Sequence, residues 1–160
     1  MTENLADLMG SNPRVVCMLT VIHLISPNTP VGLTTELQRL GVFVTEITAS
    51  RPVPQICREL IAVDIHGPMV FIATDSGCRD LPALALAQAA AHRSVISYAL
   101  IDPDYPVSTD AWPNAPVNAY LSSPDHVGSR TISLRGVEVE HFTTVKDLAC
   151  LIKVQVDAAQ

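Results

Sequence analysis

The sequence predicts an α/β protein: a mostly parallel sheet of about six strands with helices on both faces. Apolar runs rich in β-branched residues alternate with segments whose apolar residues recur at helical spacing. The strand-like runs are apolar throughout rather than at every second residue, which is typical of parallel strands buried on both faces. The 160 residues suffice for one domain with a sizeable core. We expect a single domain over 1–160, with 1–13 as an N-terminal extension.

The first two-thirds of the chain alternates regularly between strands and helices. The run VVCMLTVI is the first predicted strand, and the helix VGLTTELQRLG is predicted to end at Gly41. Gly67 is predicted to close the second helix. In chain order we predict strands at residues 15–22, 42–48, 69–74 and 95–101, and helices at residues 31–41, 53–65 and 79–91.

The last third is predicted to contain two more strands and a closing helix. A loop that holds Trp112 leads into a strand over 116–122. A sixth strand is expected near Ile132–Glu140, bent at Gly136. The final helix, 143–157, carries an apolar face formed by Leu148, Ile152 and Val156.

The charge and composition exclude several classes of partner. The formal net charge is −6 and no lysine- or arginine-rich run occurs, which argues against nucleic acid and anionic membranes as partners. No apolar stretch reaches the length of a membrane span. The acidic start MTENLADLMG lacks the pattern of a secretory signal. We therefore expect a cytoplasmic protein.

The four cysteines do not form a metal-binding pattern. Cys17, Cys57, Cys78 and Cys150 include no CxxC pair and no cysteine–histidine cluster, so we expect neither a metal nor another cofactor. Cys17 falls in a predicted buried strand and Cys150 on the apolar face of the last helix, where buried reduced thiols are the default.

The turn after the third predicted strand is the strongest candidate for a functional site. Ligands of parallel α/β sheets bind beyond the carboxyl ends of the strands. The strand MVFIAT runs there into Ala73-Thr74-Asp75-Ser76-Gly77 and at once into a helix. Small residues two positions before and after Asp75 permit a sharp turn that lifts its side chain above the sheet. A helix N-terminus beside it would stabilise an anion.

This turn resembles the nucleophile elbow G-x-S-x-G of the α/β-hydrolase family. Alanine replaces the first glycine, and Asp75 replaces the serine, as in the branches that attack carbon with an aspartate and form an ester that water cleaves. Ser76 is an alternative nucleophile, but that register would place the bulkier Thr74 and Cys78 at the glycine positions. For Cys78 we expect a packing role against the sheet.

The resemblance also implies partners for Asp75, in the family's order of nucleophile, acid and histidine. Asp125 follows the fifth strand, as the family's acid does, and His141-Phe142 precedes the last helix, as the family's histidine often does. In that scheme His141 activates water and Asp125 orients the imidazole. Asp102, after the fourth strand, is a second candidate for the acid, although an aspartate there is often structural in the family.

The resemblance places an oxyanion hole at two backbone N–H groups. One belongs to Ser76 and the other to Leu24 or Ile25, where leucine stands in place of the family's glycine. The resemblance covers roughly residues 14–157. The family's first two strands have no counterpart before Arg14, and its lid is nearly absent. We therefore expect an open sheet edge and a homodimer that covers it.

Two functions from different classes follow. The first is hydrolysis of a small organic substrate by Asp75, Asp125 and His141. With an aspartate nucleophile, attack on carbon is favoured over acyl transfer. The second is a catalytically inactive protein that binds a small ligand or a partner subunit. The alternatives without a catalytic role are a helix cap for Asp75, a simple turn for Asp125 and a strand-end surface position for His141.

Overall fold

The computed structural model describes residues 18–104, 115–126 and 137–160, and within them it shows an α/β fold. The predicted N-terminal extension, Cys17, Trp112, Gly136 and the first parts of the first and sixth predicted strands lie outside these residues. The strands are β1 (Thr20–Ile25), β2 (Val44–Thr48), β3 (Met69–Thr74), β4 (Val95–Ile101), β5 (Val117–Leu121) and β6 (Glu138–His141). The helices are α1 (Leu33–Arg39), α2 (Val53–Ala62), α3 (Leu81–Ala90) and α4 (Val145–Ala158), and a 3₁₀ turn spans Asp75–Asp80.

The six strands form one parallel sheet in the order β2-β1-β3-β4-β5-β6. The chain starts in the interior of the sheet, adds β2 on one side, and then crosses back to add β3 on the other. This reversal makes the space between the carboxyl ends of β1 and β3 a topological switch point, where ligands of doubly wound sheets bind. The predicted fold class is therefore confirmed.

Apolar residues on the two faces of the sheet form two separate cores. Helices α2 and α3 cover one face, where Ile56, Leu60, Leu81 and Leu84 pack on the strands. Helices α1 and α4 cover the other face and contribute Leu33, Leu37, Leu148, Ile152 and Val156. All six residues of β3 are buried because it lies in the interior of the sheet between both layers. Burial on both faces explains why the apolar run of β3 is continuous.

Several predicted boundaries differ from the observed ones. The strands predicted at 69–74 and 95–101 match β3 and β4, whereas β1 extends to Ile25, beyond the predicted end. The helix predicted from residue 79 begins only at Leu81, because a 3₁₀ turn occupies the preceding six residues. Pro82, in the first turn of α3, marks this start, since proline suits positions without an intrahelical N–H bond.

One prediction of burial was wrong. Cys150 was expected on the apolar face of the last helix, but it is exposed, since Leu148, Ala149 and Ile152 take the buried positions around it. Ile61 continues the apolar spacing of α2, yet it is 62% exposed while Ile56 and Leu60 are buried. No helix among the described residues combines the length and apolarity that crossing a membrane requires.

Candidate functional site

Asp75 lies at the carboxyl end of β3, at the edge of the switch point. Its backbone adopts a positive φ of 51°, a left-handed conformation that few residue types other than glycine adopt easily. The 3₁₀ turn starts at Asp75, and its side chain is half-buried. This is the sharp strand-to-helix join that the sequence predicted, except that the first turn is 3₁₀ rather than α-helical.

The residues two positions before and after Asp75 are closely packed, as the turn requires. Ala73 is fully buried and Gly77 is buried. A Cβ atom placed on Gly77 would lie 3.4 Å from the Cβ of Ala49 and 3.9 Å from the Cβ of Ala73. A methyl group there would make ordinary van der Waals contacts. The small residues therefore serve the packing of the turn.

The loop after β1 holds the Asp75 turn through two polar contacts. The Asn28 side-chain amide donates a hydrogen bond to the Asp75 carboxylate. The Ser26 hydroxyl donates to the Thr74 carbonyl at 3.4 Å, and the Ser26 N–H donates to the Thr29 hydroxyl at 2.9 Å. The Asp75 carboxylate therefore accepts a hydrogen bond from the Asn28 side-chain amide and does not cap a helix.

The surroundings of Asp75 are acidic. Asp102 follows β4, and its carboxylate accepts a 2.8 Å hydrogen bond from the Ser122 N–H, which joins the ends of β4 and β5. Asp104 forms a two-point ion pair with Arg79, at 2.5 and 3.3 Å. A carboxylate-rich edge favours ligands with positive charge or hydrogen-bond donors. It opposes the negative charge that develops on oxygen during acyl transfer.

Cys78 is buried beneath this edge and is not a nucleophile. Its thiol donates to the Ala73 carbonyl at 3.4 Å. Burial raises the pKa of the Cys78 thiol far above its ordinary value, and the nearby carboxylates of Asp104, Asp75 and Asp102 act in the same direction. The packing role predicted for Cys78 is confirmed.

Asp125 and His141 lie at the same edge of the sheet as Asp75 but are not joined to it. Asp125 is exposed in a turn, where its N–H donates to the Ser123 hydroxyl at 3.2 Å. His141 is the exposed last residue of β6, paired in register with Leu121. Across the described residues, no hydrogen bond or ion pair connects His141 with Asp125 or Asp75. Strand β6 is three strand spacings from β3, about 14 Å.

The two predicted oxyanion residues occupy different settings. Ser76 is exposed in the 3₁₀ turn, directly after Asp75. Leu24 lies inside β1 and pairs with Ile47 on one side and Ala73 on the other, and its side chain is buried. The first residue beyond β1 is Ser26, whose N–H is already bonded to Thr29. The loop after β1 therefore places a side-chain amide, that of Asn28, beside Asp75.

Asn28 and Ser26 were not predicted as site residues. The stretch Ser26-Pro27-Asn28-Thr29-Pro30 has the composition of a turn, and serine, asparagine and threonine side chains commonly bond local backbone there. Their proximity to Asp75 depends on the pairing of β1 with β3, in which paired residues such as Leu24 and Ala73 are 49 positions apart in the chain. Only the sheet order brings the two loops together.

Among the described residues, no group of three or more histidine, cysteine, aspartate or glutamate side chains is arranged to hold a metal ion. No protein-family model matches this chain, and a search of curated proteins found no match.

Proposed function

We propose that this protein binds a small organic molecule at the switch point between β1 and β3, with Asp75 as its principal hydrogen-bond acceptor. The observation that supports this proposal most directly is the geometry of Asp75. Its left-handed backbone lifts a half-buried carboxylate above the strand ends, where Asn28 orients it. A strained residue at the carboxyl edge of a parallel sheet is a common feature of functional sites.

The charge of this edge selects the chemistry of the ligand. Asp75 and Asp102 carry negative charge there, while Arg79 is occupied by Asp104. The exposed Ser76 hydroxyl and the Asn28 amide add neutral hydrogen-bonding groups. A neutral or cationic molecule that offers N–H or O–H donors is complementary to this set.

An NMR titration tests the binding proposal. A panel of small amines, amides and alcohols is added to ¹⁵N-labelled protein, and we expect saturable shifts of the Ser26, Asn28, Asp75 and Ser76 amides. Asp75→Asn keeps the shape of the side chain but removes its charge, and should weaken binding about tenfold. Asp64→Asn is the matched control, because Asp64 also has a positive φ, of 56°, and is exposed in a different loop. Equal affinities in both variants would contradict the proposal.

Hydrolysis by Asp75, Asp125 and His141 is the second candidate function. The elbow-like turn favours it: a positive φ at the central residue, small residues two positions away on each side, and the strand-to-helix order. The strand order also fits a minimal core of the α/β-hydrolase type. Among the described residues no hydrogen bond or ion pair joins His141 to Asp125 or Asp75, which ranks this function second, because a triad needs hydrogen-bond contact between its members.

A measurement of substrate turnover distinguishes ligand binding from hydrolysis. Activated esters, thioesters and epoxides are incubated with the wild type and with Asp75→Asn and His141→Ala. Hydrolysis that both substitutions abolish would establish the catalytic function and displace the first proposal. Background rates in all three proteins would exclude hydrolysis of these substrates and leave ligand binding as the function.

We further propose a cytoplasmic homodimer. The described cysteines, Cys57, Cys78 and Cys150, are free thiols, which suits a reducing compartment. Strand β2 forms one edge of the sheet, beside the exposed Phe43, and a second copy would cover both.

A further inference from the structure

A second site of polar groups lies beneath α1, on the face of the sheet away from α2 and α3. It is built around His23, a β1 residue with no exposed surface. The Nδ1 atom of His23 is 2.9 Å from the Thr34 hydroxyl on α1. Its Nε2 atom is buried and has no hydrogen-bond partner among the described residues. Buried polar atoms are usually paired with protein groups or ordered water, so this nitrogen is an acceptor with unused hydrogen-bonding capacity.

His23 lines a cavity of about 220 Å³ between the end of β1, the first turn of α1 and β2. A water molecule occupies about 30 Å³ in the liquid, so the cavity has room for a molecule of several heavy atoms. Its lining includes four hydroxyl side chains, those of Ser26, Thr29, Thr34 and Thr35. Among the described residues, no phenylalanine, tyrosine or tryptophan lines it.

The charge of the lining is negative. Glu46 lies on β2 directly opposite His23 in the strand register, and no lysine or arginine is among the described lining residues. Burial lowers the pKa of His23 to about 4, although the negative charge of Glu46 acts in the opposite direction. The imidazole is therefore neutral at pH 7. A neutral acceptor, a carboxylate and several hydroxyls discriminate against anions and favour a cation with several N–H donors.

We propose that this cavity binds a small primary ammonium compound, whose three N–H donors are shared among His23 Nε2, the Glu46 carboxylate and the lining hydroxyls. In this arrangement His23 carries its proton on Nδ1, donates it to the Thr34 hydroxyl, and accepts through Nε2. The α1 helix fixes the imidazole from one side, and β2 supplies the charge from the other. Asp75 does not line this cavity, although Ser26 both lines it and contacts the Thr74 carbonyl next to Asp75.

The histidine nitrogens report directly on this proposal. In ¹⁵N-labelled protein at pH 7, long-range ¹H–¹⁵N spectra distinguish the two neutral tautomers of His23. We expect the Nδ1–H form and a saturable shift of Nε2 on titration with ethanolamine. Ethylene glycol replaces the ammonium by a hydroxyl and should shift Nε2 far less. The Nε2–H tautomer, or no saturable shift with ethanolamine, would overturn the proposal. The latter result would mean that ordered water is the partner of Nε2.

A pair of glutamate variants tests the role of charge. Glu46 is exposed, so Glu46→Gln should fold normally and should weaken ethanolamine binding about fivefold, which is the upper range for an exposed ion pair. Glu140→Gln is the matched control, since Glu140 is an exposed strand residue on β6, at the opposite side of the sheet. Equal affinity in the Glu46 and Glu140 variants would contradict the assignment of Glu46.

Discussion

At the scale of single residues, His23 shows how burial changes the chemistry of a side chain. His23 lies within β1 and is fully buried. Burial alone, however, leaves the Nε2 atom without a partner and lowers the pKa of the imidazole to about 4. No pattern in the sequence around His23 predicts this, because the atoms that exclude water come from β2 and α1.

His23 should make the protein less stable in mild acid. Its pKa in the folded state is about 4, below the 6.5 of the unfolded chain, so the unfolded state binds the proton first. The stabilisation is complete above pH 6.5 and is lost as the pH falls towards 4, amounting to roughly 3 kcal/mol over that window. Urea denaturation of the wild type and His23→Gln measures it, and the variant should lack this part of the pH dependence.

A wild-type His23 that titrates near pH 6.5 in an NMR experiment would contradict this prediction. That measurement uses the wild type alone, so it remains decisive if His23→Gln fails to fold.

Two glycines should differ sharply in their tolerance of alanine. A Cβ atom on Gly67 would overlap the Met18 carbonyl oxygen, whereas one on Gly77 would make ordinary contacts with Ala49 and Ala73. We expect Gly67→Ala to cost about 1–3 kcal/mol, since the backbone must shift, and Gly77→Ala to cost less than about 1 kcal/mol. Thermal unfolding measures the loss of stability in each variant. Equal losses in the two variants would contradict the prediction that Gly77 tolerates a methyl group.

At the scale of elements, a buried polar network fixes α4 on the sheet. The Gln155 amide of α4 donates to the Ser97 hydroxyl and to the Tyr98 carbonyl at 2.9 Å, and accepts from the Tyr120 hydroxyl at 2.5 Å. The network therefore connects α4 with both β4 and β5. Helix α4 begins with a capping box, in which Thr144 and Asp147 bond each other's backbone N–H groups.

Removing both partners of the Tyr120–Gln155 hydrogen bond should cost less than the sum of the two single losses. Tyr120→Phe leaves the Gln155 carbonyl oxygen unpaired in a buried position, and should destabilise the protein by about 1–3 kcal/mol. In Tyr120→Phe with Gln155→Leu no polar side-chain atom of that pair remains, so the double variant should lose less than the sum of the single losses. Chemical denaturation of the wild type, the two single variants and the double variant gives the four stabilities of this double-mutant cycle. Additive losses would indicate that the Tyr120–Gln155 bond contributes little.

The pattern of apolar residues predicted the elements well where burial on both faces leaves a continuous run. Strands β3 and β4 are such runs, and their predicted ends match the observed ones. The pattern did not predict the start of α3 correctly, because a 3₁₀ turn and an α-helix have similar local compositions. The 3₁₀ turn is distinguished by its packing, in which Gly77 and Cys78 are buried. Ile61 on α2 is 62% exposed although it shares the helical apolar spacing, because that spacing does not fix how wide the buried face of the helix is.

At the scale of the whole molecule, the edge strand β2, which has one neighbour among the described strands, leads to a prediction about assembly. Two copies joined through antiparallel β2 strands would extend the sheet and cover Phe43, which is 58% exposed. We expect sedimentation equilibrium to show a dimer. Thr45→Lys places a charge on this edge and should shift the protein towards monomer. Val154→Lys is the control: Val154 is exposed on α4, and this change should leave the dimer intact. A monomeric wild type would contradict the expectation.

The sequence by itself determined the α/β class, the alternation of strands and helices, and the sharp turn at Asp75. These follow from local properties: apolar run length, helical spacing, and the small residues Ala73 and Gly77 around one aspartate. Only the tertiary structure decided which groups meet. The sheet order brings Asn28 to Asp75 and leaves His141 three strands away, and the packing of α1 places Thr34 against the imidazole of His23. Such contacts join residues far apart in the chain, and the physical forces that select them act between elements rather than within one.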